Sequence, residues 1–418
     1  MKINYLIYLF FSIGGAALSF FKLGYMASAL QPESFGLYSL VMITFIYVGY
    51  IGSFGSNEYM LKIGSAAQNQ MERVSIRNTA LNYSISGVLL LSTIVFLIST
   101  IFIGVKVSDF VASLVILAIF SQPYNIFESY YRSSQYVISF SSMLFSKSLL
   151  SLIIAILFVE SYGYWAAIFA EAIALLTISV VCFFVNSSSI VFFEFGNYRS
   201  KICLIFKEGF PFCLMTMLRN VSVSLERYIV SILFGLINLG LYSFLMISYQ
   251  ASVLGSGILM NVIGPKFIKM ASNKKDSRKF LNSVIALFSV VTFLSVILYP
   301  SFKFLSPILV EKYFISYYSE QTFSILSYVY WLCLVSVLLF ISDWILLSLS
   351  AEKIARNLTF LSLILVSILF PIGMYTQFGL SAFIEGILFI RLAVLFFTII
   401  ALYRAFEKKR GGGDKEYV

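Results

Sequence analysis

Nine ionisable residues fall inside the long apolar stretches of this 418-residue chain: Lys22, Lys147, Glu171, Arg219, Glu226, Arg227, Asp343, Glu385 and Arg391. A charge at the centre of an apolar span costs roughly 3 kcal/mol, so exposing all nine to hydrocarbon would cost on the order of 25 kcal/mol. Most must face water or one another. Arg219, Ser222 and Glu226 follow the spacing i, i+3, i+7 and so share one polar helical face. Lys147, Arg219 and Arg391 are the cations best suited to grip an anionic head group, because a guanidinium fork matches phosphate and the contact strengthens at low dielectric. Lys22 and Arg227 join them as cavity cations, although Arg227 could also snorkel toward a helix end. Glu171, Glu226, Asp343 and Glu385 are the acids available either to pair with these cations or to take a coupling ion.

Other chemistries are excluded by composition. The sequence contains no histidine, which removes imidazole metal sites and the usual nucleophile pairs. Cys182, Cys203, Cys213 and Cys333 form no Cys-x-x-Cys motif and read as small packing residues, with neither zinc nor a disulfide implied. No catalytic residue, metal or organic cofactor is expected.

The elements that hold these charges are set by hydropathy. Only 11% of residues are charged and 60% are hydrophobic, whereas a soluble surface needs about a quarter of the residues charged. Apolar runs of roughly 20 residues, long enough to cross a bilayer, recur along the chain. They predict an all-α polytopic membrane protein with about twelve spans: Asn4 to Ala29, Gly36 to Gly55, Thr79 to Gly104, Phe110 to Phe127, Ile138 to Val159, Gly163 to Val185, Glu208 to Phe234, Leu239 to Val262, Phe280 to Tyr299, Thr322 to Leu349, Leu358 to Thr376 and Leu380 to Tyr403. Met1 to Ser19 resembles a signal peptide, but the apolar run continues into a second span, so a retained first helix is expected. With the N-terminus inside, 21 of the 29 lysines and arginines fall in cytoplasmic segments, among them Arg77, Lys62 and the basic stretch Lys266 to Lys279. The positive-inside rule then places both termini in the cytoplasm. The net charge of +10 is mainly this orientation signal and not a nucleic-acid surface. Aromatic residues at Tyr162, Tyr164, Trp165, Tyr328, Tyr330 and Trp331 read as an interfacial belt.

An internal repeat divides the chain. GLYSLVMI at Gly36 to Ile43 recurs as GLYSFLMI at Gly240 to Ile247, an offset of 204 residues, and MLKIGS at Met60 to Ser65 is answered by FIKMAS at Phe267 to Ser272. Six helices per copy, an even number, make the copies parallel, which gives two six-helix lobes, residues 1–206 and 207–418. Transporters of this design hold substrate near the bilayer midplane. The same offset superimposes Lys22 on Glu226, so equivalent positions carry opposite charges. The two side chains are expected to face a central cavity, as a pair or as a cation site beside a titrating acid; a purely structural ion pair is the alternative.

Two segments carry a family resemblance. LQPESFGLYSLVMI from Leu30 and KEGFPFCLMTMLRNVSVSLERYIVSILFGLINLGLYS from Lys207 resemble the polysaccharide-transporter branch of the MOP exporter superfamily, and within it the Wzx-type O-antigen repeat-unit flippases. The proline near the start of the seventh span (Gly209 to Phe212), the Glu226-Arg227 pair and the glycine-tyrosine start of the eighth span carry the likeness; Ser28, where many relatives have arginine, and Glu226, where aspartate is common, depart from it. The resemblance implies a MATE-like fold and a bacterial inner-membrane protein. It further implies movement of an undecaprenyl-diphosphate-linked oligosaccharide from the cytoplasmic to the periplasmic leaflet by alternating access. A proton or sodium gradient would drive the step, and a polysaccharide polymerase and a chain-length regulator would be partners. The rival readings are an ion-coupled small-molecule antiporter of the same superfamily and a membrane glycosyltransferase or polymerase. The latter would need a sizeable outer domain, for which Pro300 to Gln321, the longest outer segment, is too short. No GxxxxGK[ST] loop supports an ATP-driven exporter.

Overall fold

A computed structural model of the chain describes residues 2–102, 105–186, 198–272, 277–349, 351–376 and 378–410. Among these residues the regular structure is entirely helical: α1 (Lys2–Ala29), α2 (Pro32–Ser53), α3 (Ser56–Ala66), α4 (Gln70–Phe102), α5 (Val105–Ser133), α6 (Val137–Val185), α7 (Tyr198–Ser272), α8 (Ser277–Tyr313), α9 (Glu320–Ser348), α10 (Glu352–Thr376) and α11 (Leu380–Arg410), with a short 3-10 turn at Ile315–Tyr317. Ten helices are long and apolar enough to cross a membrane, and the protein is a multi-pass membrane protein. Helices dominate because hydrocarbon offers no partner for a backbone amide, and a helix satisfies its own.

Two of these helices are double. At about 1.5 Å per residue, a straight helix the length of α6 or α7 would far exceed the hydrocarbon thickness of about 30 Å. Each is broken by a glycine in the left-handed region, Gly163 (φ 58°) in α6 and Gly235 (φ 79°) in α7, a conformation that a side chain resists. Gly163 is the first residue of the expected sixth span, and Gly235 falls in the expected gap between spans seven and eight. All twelve expected spans therefore map onto helical limbs, with α3 as an additional short helix. The outer segment Pro300 to Gln321 is largely helical, because α8 continues through Pro300 and Pro307 to Tyr313. Neighbouring helices and side chains can re-satisfy the backbone groups that a proline frees inside a membrane helix.

The chain separates into two compact units, Met1–Val221 and Ser222–Val418. In the first, small residues let backbones approach closely, the packing mode that replaces hydrophobic collapse in lipid. Gly14 and Gly15 of α1 lie against Phe145 of α6, and Gly49 of α2 lies against the buried Gln122 of α5, whose Oε1 accepts a 2.6 Å hydrogen bond from Ser84. The end of α2 is the tightest crossing: Phe54 (φ 48°) and Gly55 (φ 84°) turn the chain out of the helix, Gly87 packs on the Gly52 carbonyl, and Gly209 packs on the Gly55 carbonyl. Beside it, Lys62 Nζ lies 2.7 Å from Glu208 Oε2. In the second unit a core of Met260, Phe267, Ala271, Phe280, Ile341, Ile345 and Phe406 joins the end of α7 to α8, α9 and α11. The expected basic stretch Lys266 to Lys279 lies largely outside the described side chains, as do Arg219 and Ser222.

A methyl group on Gly209 would overlap the Gly55 backbone, whereas one on Gly255 would meet open space. Gly209→Ala is expected to cost about 1–3 kcal/mol, and Gly255→Ala to be neutral or slightly stabilising. Thermal melting of the detergent-purified variants checks this, and equal melting of the two would refute the crossing.

Candidate functional site

Each unit buries one glutamate, and three limbs converge on it. In the first unit Glu171, on the second limb of α6, is 1% exposed and forms a salt bridge through Oε1 with Lys22 of α1. Lys22 Nζ also donates to Ser151 Oγ at 3.2 Å, and Tyr38 OH of α2 donates to the same Glu171 Oε1 at 3.2 Å. Lys147, on the first limb of α6, stands 3.9 Å from Glu171 Oε2 with its ammonium 5.6 Å from the centre of the Tyr124 ring. Among the described residues, that leaves Glu171 Oε2 and Tyr124 OH buried without a hydrogen-bond partner. Ser19 and Ser148, 2.9 Å apart, link α1 and α6 one turn from the pair.

In the second unit Glu226, on the first limb of α7, is also buried. Arg391 Nη2 of α11 donates to Oε1 at 2.7 Å, and Tyr242 OH, on the second limb of α7, donates to Oε2 at 2.7 Å. Arg391 Nε is buried without a hydrogen-bond partner among the described residues. Arg227 is half-buried and makes no ion pair among the described residues.

The two arrangements are one constellation in opposite polarity. Lys22 and Glu226 correspond at the repeat offset, and so do Tyr38 and Tyr242. The partner in both units comes from the last limb, Glu171 in the sixth and Arg391 in the twelfth. Lys22 and Glu226 therefore each have a partner within their own unit. Such pairs satisfy the electrostatics of burial, and removing one member strands the other.

Sequence reasoning did not single out Tyr38 and Tyr242, although both sit in the repeated GLYS motif that it did find. Ser151, Tyr124 and Glu128 were also missed. Glu128 lies 3.6 Å from Arg132 at the end of α5, just beyond the expected span. Arg77, expected on the cytoplasmic side, is wholly buried: Nη1 donates to Asn186 Oδ1 at 3.3 Å, and its guanidinium carbon lies 4.9 Å from the Tyr130 ring centre. Of the remaining expected residues, Glu385 is half-buried on α11 and Asp343 is exposed on α9. The Arg219 side chain lies outside the described residues.

A family model described as polysaccharide biosynthesis protein matches residues 25–322. No curated protein matches in sequence. Among solved structures, an inward-facing multidrug resistance MATE family transporter of the MOP superfamily aligns over 99% of both chains at 12% identity and a TM-score of 0.67. An outward-facing MATE family transporter aligns over 98% of this chain and 96% of its own, at 12% identity and a TM-score of 0.57. A MOP superfamily transporter from Pyrococcus furiosus aligns over the same shares at 13% identity and a TM-score of 0.53. This chain shares their fold.

Glu171→Ala is expected to destabilise the protein by about 3–5 kcal/mol, since it strands buried Lys22, and the matched Lys22→Met/Glu171→Leu pair to recover most of that loss. Tyr242→Phe should cost about 1.5–3 kcal/mol, the range for a hydrogen bond to a charged group. Melting temperatures of the four proteins test this; a double variant no more stable than Glu171→Ala would overturn the pairing.

Proposed function

Given that this chain belongs to the polysaccharide biosynthesis protein family, we propose that it is a membrane transporter carrying a lipid-linked oligosaccharide. The cargo is an undecaprenyl-diphosphate-linked O-antigen repeat unit, moved from the cytoplasmic to the periplasmic leaflet of the bacterial inner membrane by alternating access. The observation that carries this reading is the match of a polysaccharide-biosynthesis family over most of a chain whose fold is that of MOP superfamily transporters. A polysaccharide-synthesis protein built almost wholly of membrane helices has its surface in the bilayer, where its substrate would be a lipid-anchored intermediate.

The charges inside the spans fit an anionic cargo. Both buried glutamates are already held by cations, which leaves a cationic drug no free carboxylate at either pair and weakens the small-molecule antiporter reading. Lys147 and Arg227 remain as groups for the diphosphate, while Lys22 is committed to Glu171 and Arg391 to Glu226. The glycosyltransferase or polymerase reading lacks room: α8 is helical to Tyr313 and α9 begins at Glu320, which leaves no chain there for an outer domain. Coupling to a proton or sodium gradient, cytoplasmic termini, and cooperation with a polymerase and a chain-length regulator belong to the same proposal.

A deletion strain tests it. Loss of the surface polysaccharide, with lipid-linked repeat units accumulating on the cytoplasmic leaflet and restored by the wild-type gene, is the expected outcome. Repeat units accumulating on the outer leaflet would instead mark a polymerase and overturn the flippase reading.

A further inference from the structure

The two units treat the basic residues at their helix ends differently. In the first, the cations expected on the cytoplasmic side are mostly bound within the protein: Lys62 pairs with Glu208, Arg132 lies 3.6 Å from Glu128, Arg73 donates to the Gly64 and Ala67 carbonyls at 3.1 Å, and Arg77 is buried. Only Lys207 is exposed without such a partner among the described residues of that unit. In the second unit, Lys353 and Arg356 of α10 and Arg404 of α11 are all exposed, and none makes an ion pair or side-chain hydrogen bond among the described residues. The short connection from Thr376 to Leu380 makes α10 and α11 antiparallel. They are also neighbours, since a methyl group on Gly386 of α11 would lie 3.3 Å from Leu369 of α10. From that contact, at about 1.5 Å per residue, Lys353 stands about 24 Å along α10 and Arg404 about 27 Å along α11, so the three cations share one level at one end of the unit.

Each cation continues an apolar face. Lys353, Arg356, Phe360 and Ile364 fall at i, i+3, i+7 and i+11 of α10, and Phe397 and Arg404 at i and i+7 of α11, so each set shares one helical face. Phe360, Ile364 and Phe397 are exposed. The apolar spans run from Lys353 to Thr376, 24 residues, and from Leu380 to Glu407. The first is about 36 Å long against about 30 Å of hydrocarbon, which puts all three cations in terminal turns at the head-group level. An acidic protein would have to reach below the membrane surface to meet them, whereas a phospholipid phosphate is already there, with acyl chains to lie along the exposed side chains. We propose that Lys353, Arg356 and Arg404 form a site for an anionic phospholipid of the surrounding bilayer, its head group on the three cations and its acyl chains along the exposed faces of α10 and α11. This lipid is a component of the membrane and not the cargo, so the site does not depend on the transport reading above.

The test uses the full-length protein, with dioleoylphosphatidylglycerol as the probe, dioleoylphosphatidylcholine as the zwitterionic control and undecaprenyl diphosphate as the competing lipid. Native mass spectrometry measures lipid binding, and melting in nanodiscs with and without phosphatidylglycerol reads the stabilisation. Wild type is expected to bind phosphatidylglycerol about tenfold more tightly than phosphatidylcholine and to melt higher in its presence. Lys353→Gln/Arg356→Gln/Arg404→Gln should weaken phosphatidylglycerol binding by about fivefold or more and abolish the shift in melting. Stacking of Phe280 on Phe406 sets the start of α8 beside the end of α11, so Lys303 and Lys312 lie toward the opposite end of the unit. Lys303→Gln/Lys312→Gln should therefore stay within about twofold of wild type. The three cations hold no other part of the described protein, and Arg356→Gln alone keeps the test available if the triple variant does not fold. Equal binding of the two phospholipids by wild type, an unchanged preference in the triple variant, or equal weakening by Lys303→Gln/Lys312→Gln would overturn the site. Binding of undecaprenyl diphosphate with this dependence, and not of phosphatidylglycerol, would overturn the assignment to a bilayer phospholipid.

Discussion

Glu171 and Glu226 are nearly inaccessible to solvent, and an unpaired carboxylate so placed costs several kcal/mol. Each must find a cation on another helix and a further donor for its remaining lone pairs. That requirement draws together the first, second and last limbs of each unit: α1, α2 and the second limb of α6 in one, both limbs of α7 and α11 in the other. Between apolar helices in lipid, association has little hydrophobic driving force, and interhelical polar bonds with small-residue packing take over that role. The glycine crossings at Gly14, Gly15, Gly52, Gly55, Gly87 and Gly209 bring backbones together without choosing a register along the helix axis. The ion pairs choose it.

The spans were legible because their signal is additive: twenty apolar residues outweigh any one local preference. The breaks at Gly163 and Gly235 fall where the hydropathy dips, and glycine is the residue able to take those backbone angles. The ninth span was expected to end at Tyr299, but α8 continues through Pro300 and Pro307 to Tyr313, since a membrane helix accommodates proline. The short α3 was not anticipated, because eleven residues carrying Glu58 and Lys62 give no span signal.

Pairing was less legible than placement. That Lys22 and Glu226 hold equivalent positions could be read from the offset, and that buried charges need partners follows from the cost of burial. Which partner each takes depends on which limbs are adjacent, and neither charge carries that information locally. Lys22 is followed 149 positions later by its acid and Glu226 is followed 165 positions later by its arginine. Arg77 shows the same limit: the charge count places it on one side of the membrane but says nothing of its burial against Asn186 and the rings of Phe127 and Tyr130.

The reversal of polarity explains why the tyrosine, and not the charge, is what the two copies share. Coulomb attraction is indifferent to which helix carries the acid, so exchanging cation and anion between two facing positions preserves the pair. The exchange does move the carboxylate, from the last limb in the first unit to the first limb in the second. A phenol on the limb beside both can donate to either location, and Tyr38 and Tyr242 do so at 3.2 and 2.7 Å. A carboxylate on that limb would repel one arrangement, and a second cation would add an unbalanced charge to both. The hydroxyl is neutral, directional and long-reaching, so the repeated GLYS segment can remain the same while the charges around it trade places. The trade is not symmetric in its remainder: lysine ends in a compact ammonium that also reaches Ser151, whereas arginine ends in a fork with one edge to spare. One architecture, copied with its charges exchanged, thereby acquires two different chemical faces.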